Sequence, residues 1–320
     1  MYLIAEIGFN HEGDMTLARE MIAAAAEAGA DAVKFQTFRA LDIALYSSPH
    51  FAQIKCGEMG WEEHCQLKAT AEERGVDFLS TPFSKWGVGL LTRLGVPAFK
   101  VASMDCTNKA LLEEIARTGK PVYLSTGMAN VSEIGETLTF LKEQGSGPVS
   151  LLHCLCLYPA DAGCLNLETI PFLKSLFRIP VGYSDHYPGT RACLAAALLG
   201  ADLIETHFTL DKTRQGGDHH HSVEPAELKA LVEDVREMEV MRGSKDAIYK
   251  RPDRACAQAF RRGVYASRNL EKGHRLKEDD FLFARPTSDF TPNDRVFLLG
   301  KEIKKDLAAF HQISREILQP

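Results

Sequence analysis

The chain has 320 residues, enough for one barrel-sized domain and a small appendage, with an ordinary soluble composition and a net charge of -6. That charge, with no basic stripe to neutralise phosphates, argues against nucleic acid as a partner. The opening MYLIAEIG is apolar for too few residues to be a signal peptide, and no run approaches the roughly 20 apolar residues that span a bilayer, so no membrane partner and a cytoplasmic location are expected.

Along the chain one unit recurs: apolar strand, polar turn, helix with an apolar stripe, glycine, next strand. The closing glycines are Gly29, Gly75, Gly95, Gly119 and Gly200, each just before a candidate strand. Strands are expected at Tyr2–Ile7, Ala32–Gln36, Asp77–Ser80, Ala98–Val101, Pro121–Ser125, Val149–His153, Val181–Tyr183 and Leu203–Thr206. Eight βα units predict an α/β fold, a (β/α)8 TIM barrel over residues 1–242. The stretch Ala40–Gly60 reads as a longer excursion, a lid over the carboxyl face. Residues 243–260 lack periodicity, carry Pro252 and several charges, and read as a linker. Residues 261–320 hold short strand-like pieces such as Gly263–Ser267 among turns, and form a second small, β-rich domain.

Side chains at the carboxyl ends of barrel strands point into the ligand crevice, and polar residues stand at all eight ends. They are Glu6; Lys34 and Gln36; Ser80 and Thr81; Lys100 and Ser103; Ser125 and Thr126; His153 and Tyr158; Ser184, Asp185 and His186; Glu205 and His207. Lys34, Lys100, Ser103, Ser125 and Ser184 suit an anionic phosphate or carboxylate, which needs point charges and short hydroxyl donors. His186 and His207, with Glu6 and Glu205 near, suit a divalent cation with open positions for substrate oxygens. A strand-end lysine is often only a solvated rim charge, and one barrel histidine is more often structural than a ligand. Two histidines on neighbouring strands favour a metal.

The tract GGDHHHS (Gly216 to Ser222) follows the eighth strand, which favours Asp218 or His219 over His220 or His221 as a substrate contact. The eight cysteines form no CxxC pair and read as reduced, mostly buried thiols. Cys154 and Cys156 are taken to face apart across a strand, which argues against zinc.

With these residues placed, the motifs IAEIGFNHEGD, GADAVKFQTF, FLSTPFS, FKVAS, LSTGM, LLHCLCLYP, GYSDH, ETHFTLDK and GGDHHHSVEP, in that order, resemble those of the sialic acid synthase (NeuB-like) family. The tail RRGVYASRNLEKGHRLKEDDFLFARP is similar to that family's antifreeze-like (SAF) domain. The resemblance implies an enzyme that condenses phosphoenolpyruvate with an open-chain N-acetylated amino sugar and water, forming a nonulosonic acid and releasing phosphate by C–O cleavage. It implies that Lys34, Thr81, Lys100, Ser103, Ser125, Tyr158 and Ser184 hold phosphoenolpyruvate. His186 and His207 would hold the divalent metal, Mn²⁺ with Mg²⁺ and Co²⁺ as alternatives, and Glu6 would handle the attacking water. Gln36, Asp105, Tyr158, Asp218 and Arg285 would contact the sugar, Arg285 arriving from a partner in a tail-swapped homodimer. The chain departs from the family pattern at Asp105, where Glu is usual, and at Cys156, where Asn or Ser is usual. Rival readings are a metal-dependent aldolase or sugar isomerase on the same barrel, and a catalytically silent sugar-binding homologue in surface-polysaccharide assembly.

Overall fold

The computed structural model describes residues 1–244 and 254–318 and divides into two compact units, Met1–Arg242 and Gly243–Pro320. In the first unit eight strands run β1 (Tyr2–Glu6), β2 (Ala32–Thr37), β3 (Asp77–Pro82), β4 (Phe99–Val101), β5 (Val122–Ser125), β6 (Val149–Cys154), β7 (Val181–Asp185) and β8 (Leu203–His207). All are parallel, in the ladder order β3-β2-β1-β8-β7-β6-β5-β4. The outermost strands β3 and β4 also touch, which brings the sheet round into a nearly closed barrel of the TIM type. Expected and observed strands agree to within two residues at each end.

Why the polar layer forms follows from the two-residue period of a strand. Ile4, Ala32, Leu79, Ala98, Leu152 and Leu203 form one buried cluster inside the barrel. Two residues further along, the same face presents Glu6, Lys34, Thr81, Lys100, Cys154 and Glu205, with Ser125 and Ser184 from β5 and β7. Two residues further again come Gln36, Phe83, Ala102, Cys156, His186 and His207. The interior is therefore apolar at its centre and ionisable towards the carboxyl ends. The alternate residues, such as Leu3, Ala5, Val33, Phe35, Val101, Leu124 and Tyr183, face outward into the core shared with the helices.

Those helices start and stop where the local chemistry says. Asp14 caps Met15–Glu27, Ser84 caps Lys85–Leu94 and Asn130 caps Val131–Glu143, each side chain accepting from a first-turn N–H. The excursion expected as a lid contains two short helices, Ala40–Ile43 and Phe51–Cys56, and Ile43 lines the barrel-mouth cavity.

In the second unit β9 (Gly263–Ala266) pairs antiparallel with β10 (Phe281–Ala284) over a core of Val264, Ala266, Leu276, Leu298, Ile303 and Ile313. The carboxylate of Asp280, fully buried, accepts from Arg268 (2.7 Å) and pairs with His274 (2.6 Å), which ties the turn before β10. Of the segment read as a linker, Arg254–Phe260 is helical, and residues 245–253 lie outside those described. No helix among the described residues is long and apolar enough to cross a membrane.

Candidate active site at the barrel mouth

One cavity at the carboxyl ends gathers Glu6, Lys34, Gln36, Thr81, Lys100, Ser103, Ser125, Tyr158, Ser184, His186, Glu205, His207 and Asp218. Asp105 does not line it. That residue lies in the turn after β4, where Oδ1 accepts from Asn108 (2.8 Å) and Oδ2 bonds nothing among the described residues. Arg285 belongs to the second unit, its guanidinium 5.3 Å from the ring centre of Phe260. Of the other strand-end residues, His153 turns outward to the carbonyl of Leu165 and the ring of Tyr183, and Ser80 bonds Thr37.

The floor of the cavity is a buried four-charge cluster. Lys34 Nζ lies 2.7 Å from Glu6 Oε2 and 3.6 Å from Glu205 Oε2, while Lys100 Nζ lies 3.7 Å from Glu205 Oε1. Hydroxyls complete it. Lys34 donates to Thr81 (3.1 Å), Lys100 to Ser125 (2.6 Å), and Ser184 to Glu205 (2.8 Å). Two lysines and two glutamates out of water would be costly unpaired, and the pairing offsets that cost. Burial dominates at Glu6 and, aided by Glu205 and opposed by Lys34, pushes its carboxyl up to about 7. Glu205 moves the other way: burial would raise it, but Lys100 and Lys34 hold it below the usual carboxylate range. The cluster thus contains one carboxylate fixed as a charge and one poised near neutrality. Gln36 Nε2 donates to Glu6 Oε1 (3.1 Å), and Gly8, at φ +51, leaves room for that contact, since a Cβ there would sit 3.0 Å from Glu6 Oε1.

Above the floor stand three imidazoles. Ring centres of His186 and His207 are 5.2 Å apart, those of His207 and His221 4.8 Å, and Tyr158 covers His186 at 4.2 Å. Burial holds all three histidines below their ordinary range, so they are neutral near pH 7. His186 Nδ1 lies 2.7 Å from the carbonyl of Leu155, which can only accept, so Nδ1 carries the proton and Nε2 keeps its lone pair. His207 Nδ1 has no hydrogen-bond partner among the described residues and lies 3.6 Å from Asp218 Oδ2. Neutral imidazoles with free lone pairs beside a carboxylate are the donor set a divalent cation takes.

The loop carrying Asp218 is set by Asn10, which the sequence reading did not select. Buried Asn10 donates to the carbonyl of Phe208 and to Ser222 Oγ (both 2.9 Å), and accepts from the N–H of Asp218 (2.8 Å). The favoured His219 is fully engaged, by Thr209 (2.7 Å) and Glu12 (3.0 Å), away from the cavity. The disfavoured His221 is the one that joins the imidazole group.

Comparison with known proteins gives the family. The family model described as "NeuB family" matches residues 21–247, and the SAF domain model matches residues 261–309. The chain belongs to the NeuB family. It is 36% identical to the N,N'-diacetyllegionaminic acid synthase of Legionella pneumophila over 96% of this chain and 92% of that protein. It is 33% identical to a pseudaminic acid synthase of Campylobacter jejuni over 96% and 93%. Among solved structures, the N-acetylneuraminic acid synthetase of Leptospira borgpetersenii, in complex with citrate, superposes with a TM-score of 0.74 at 38% identity, covering 76% of this chain and 85% of that one. This NeuB-family chain is accordingly an enzyme of the carbon–carbon bond-forming transferase class.

One sequence expectation fails on geometry. Cys154 ends β6 and Cys156 follows two residues later, and both sulfurs lie on the same side, within 2.7 Å of the point that a Cβ on Gly127 would occupy. They do not face apart. Ser103 Oγ lies 2.9 Å from Cys154 Sγ. The hydrogen bond from Cys154, with help from Ser103 and the charge of Lys100, pulls the Cys156 thiol down to about 6, against its partial burial. Among the described residues the pair joins no third metal ligand. A consequence is that iodoacetamide at neutral pH modifies Cys156 while Cys106 and Cys193, pushed up by burial, stay unmodified. Peptide mass mapping reads this directly, and an unreactive Cys156 would show that the thiol is not ionised.

Proposed function

We propose that this enzyme condenses phosphoenolpyruvate with the open-chain form of an N-acetylated amino sugar and water, giving a nonulosonic acid and inorganic phosphate. The observation that carries the reading is the division of the cavity: two lysines with hydroxyls on one side, neutral imidazoles with Asp218 on the other. Lys34 with Thr81, Lys100 with Ser125, and Ser103, Ser184 and Tyr158 hold the phosphate and carboxylate, so the attacking carbon is presented to the sugar as if in one molecule. His186, His207 and Asp218 are placed to hold a divalent cation, which when bound would supply Lewis-acid polarisation of the sugar aldehyde. In this family Mn²⁺ is the expected ion, with Mg²⁺ and Co²⁺ as alternatives.

Carbon 3 of phosphoenolpyruvate adds to the aldehyde carbon, leaving electron deficiency at carbon 2. Glu6 takes a proton from the water that adds there, and the phosphate departs with the bridging oxygen. Gln36 and Tyr158 flank the sugar, and Arg285 reaches it from a second copy of the chain. The sugar is a 2-acetamido or diacetamido hexose, such as N-acetylmannosamine, as the relatives named for sialic, legionaminic and pseudaminic acids suggest. Running the reaction in ¹⁸O-water places label in the sugar acid and none in phosphate; labelled phosphate would overturn the C–O cleavage.

A further inference from the structure

His221 has no counterpart in the functional reading above, yet its environment is unusual. Its side chain is fully inaccessible to solvent, and neither Nδ1 nor Nε2 has a hydrogen-bond partner among the described residues. A buried imidazole leaving both nitrogens unmatched forfeits the desolvation cost of each unless something absent from the bare protein meets it. What faces it is not apolar packing. Nε2 lies 3.8 Å from Asp218 Oδ1, Asp218 Oδ2 lies 3.6 Å from His207 Nδ1, and one ligand atom from each of His207, Asp218 and His221 falls within 4.8 Å of the others. Ligand atoms about 2.1 Å from a common centre lie up to about 4.2 Å apart, so the three converge to within a few tenths of an ångström of a shared ion's shell and need only small side-chain rotations to close on it.

Sequence position hides this role. His221 lies in a single 3-10 turn, His219–His221, whose other side chains stay out of the ligand group: His219 bonds Thr209 and Glu12, and His220 is exposed, with its ring centre 4.8 Å from that of His221. The turn is held by Ser222 Oγ, which donates to the carbonyl of Asp218 (2.7 Å) and accepts from Asn10 (2.9 Å). Asp218 and His221 are therefore delivered together to His207, by a network that does not depend on an ion.

We propose that His221 is a further protein ligand of the active-site cation, joining His207 and Asp218, with His186 Nε2 beside them. The inference rests on the reading that this site holds a divalent cation. A donor set this rich in imidazole selects a borderline ion such as Co²⁺ over the hard, oxygen-seeking Mg²⁺. It makes the chain's metal preference a property of its own loop.

The test is calorimetric titration of the chelator-stripped full chain with Co²⁺ alone and with Mg²⁺ alone. His221→Ala should weaken Co²⁺ binding by about tenfold or more, as loss of a supporting metal contact does, and Mg²⁺ binding much less. His220→Ala, at the exposed neighbour, should change neither. Because neither ring nitrogen of His221 has a hydrogen-bond partner among the described residues, the metal-free thermal midpoint of His221→Ala should fall by no more than the cavity accounts for, and His221→Phe, which refills the volume, should stay near wild type and weaken Co²⁺ equally. Equal Co²⁺ affinity in wild type and both His221 variants would overturn the inference while leaving the cation site standing. Loss of Co²⁺ binding in His207→Ala but not in His221→Ala would do the same. Absence of Co²⁺ and Mg²⁺ binding in the wild type would overturn both.

Discussion

His207→Ala should lower cation-dependent turnover by about three orders of magnitude, because the polarisation it would support supplies several kcal/mol of transition-state stabilisation. The fold should not suffer with it. Nδ1 of His207 has no hydrogen-bond partner among the described residues, so the substitution removes an unsatisfied polar group, which opposes the cost of the cavity left and keeps the metal-free thermal midpoint near wild type. His186→Ala should be comparably inactive but less stable, since it strands the carbonyl of Leu155 that Nδ1 now satisfies. Steady-state rates beside thermal unfolding of the stripped proteins separate the two. An active His207→Ala would remove this residue from the chemistry.

The second large effect belongs to Glu6. Glu6→Gln should cost about 10²- to 10⁴-fold in turnover, the range for losing a positioned proton acceptor. The pH dependence has a definite sign. With its carboxyl pushed up to about 7, Glu6 is protonated below that pH and cannot accept a proton, so wild-type activity should rise with pH through that region and the Gln variant should lack the limb. Stability runs the opposite way. A carboxyl that binds its proton more tightly in the native state than in the unfolded chain contributes stability at low pH, and that contribution is lost as pH rises from the unfolded value to about 7. Denaturant titrations of metal-free wild type and Glu6→Gln across that window should show stability falling more steeply with pH in the wild type, by this one group's contribution. An unchanged slope in the variant would assign it to another group.

The barrel was legible because one rule governs it. Strand residues alternate faces, so Ile4 and Glu6, Ala32 and Lys34, or Leu203 and Glu205 carry both the apolar plug and the charged floor in the sequence itself. The same two-residue period, carried one step past the end of β6, places Cys154 and Cys156 together, against the expectation that they face apart. What period could not supply lies in segments without one. Whether Asp218, His219 or His221 enters the cavity depends on the backbone between β8 and the following helix, and on Asn10, 208 residues away from Asp218. No local pattern encodes that hydrogen bond. Asp105 shows the same limit, since its turn after β4 aims it at Asn108 rather than at the cavity.

Two substrates are expected to meet at one mouth, an anion on the lysines and a sugar aldehyde on the imidazole side. Phosphate release from phosphoenolpyruvate, followed with the purified full chain, a divalent cation and a panel of N-acetylated hexosamines and diacetamido hexoses, addresses that claim most directly. Release that requires both the cation and one of these sugars, in step with formation of a nine-carbon acid, is the predicted result; no release with any sugar, or release without one, would contradict it.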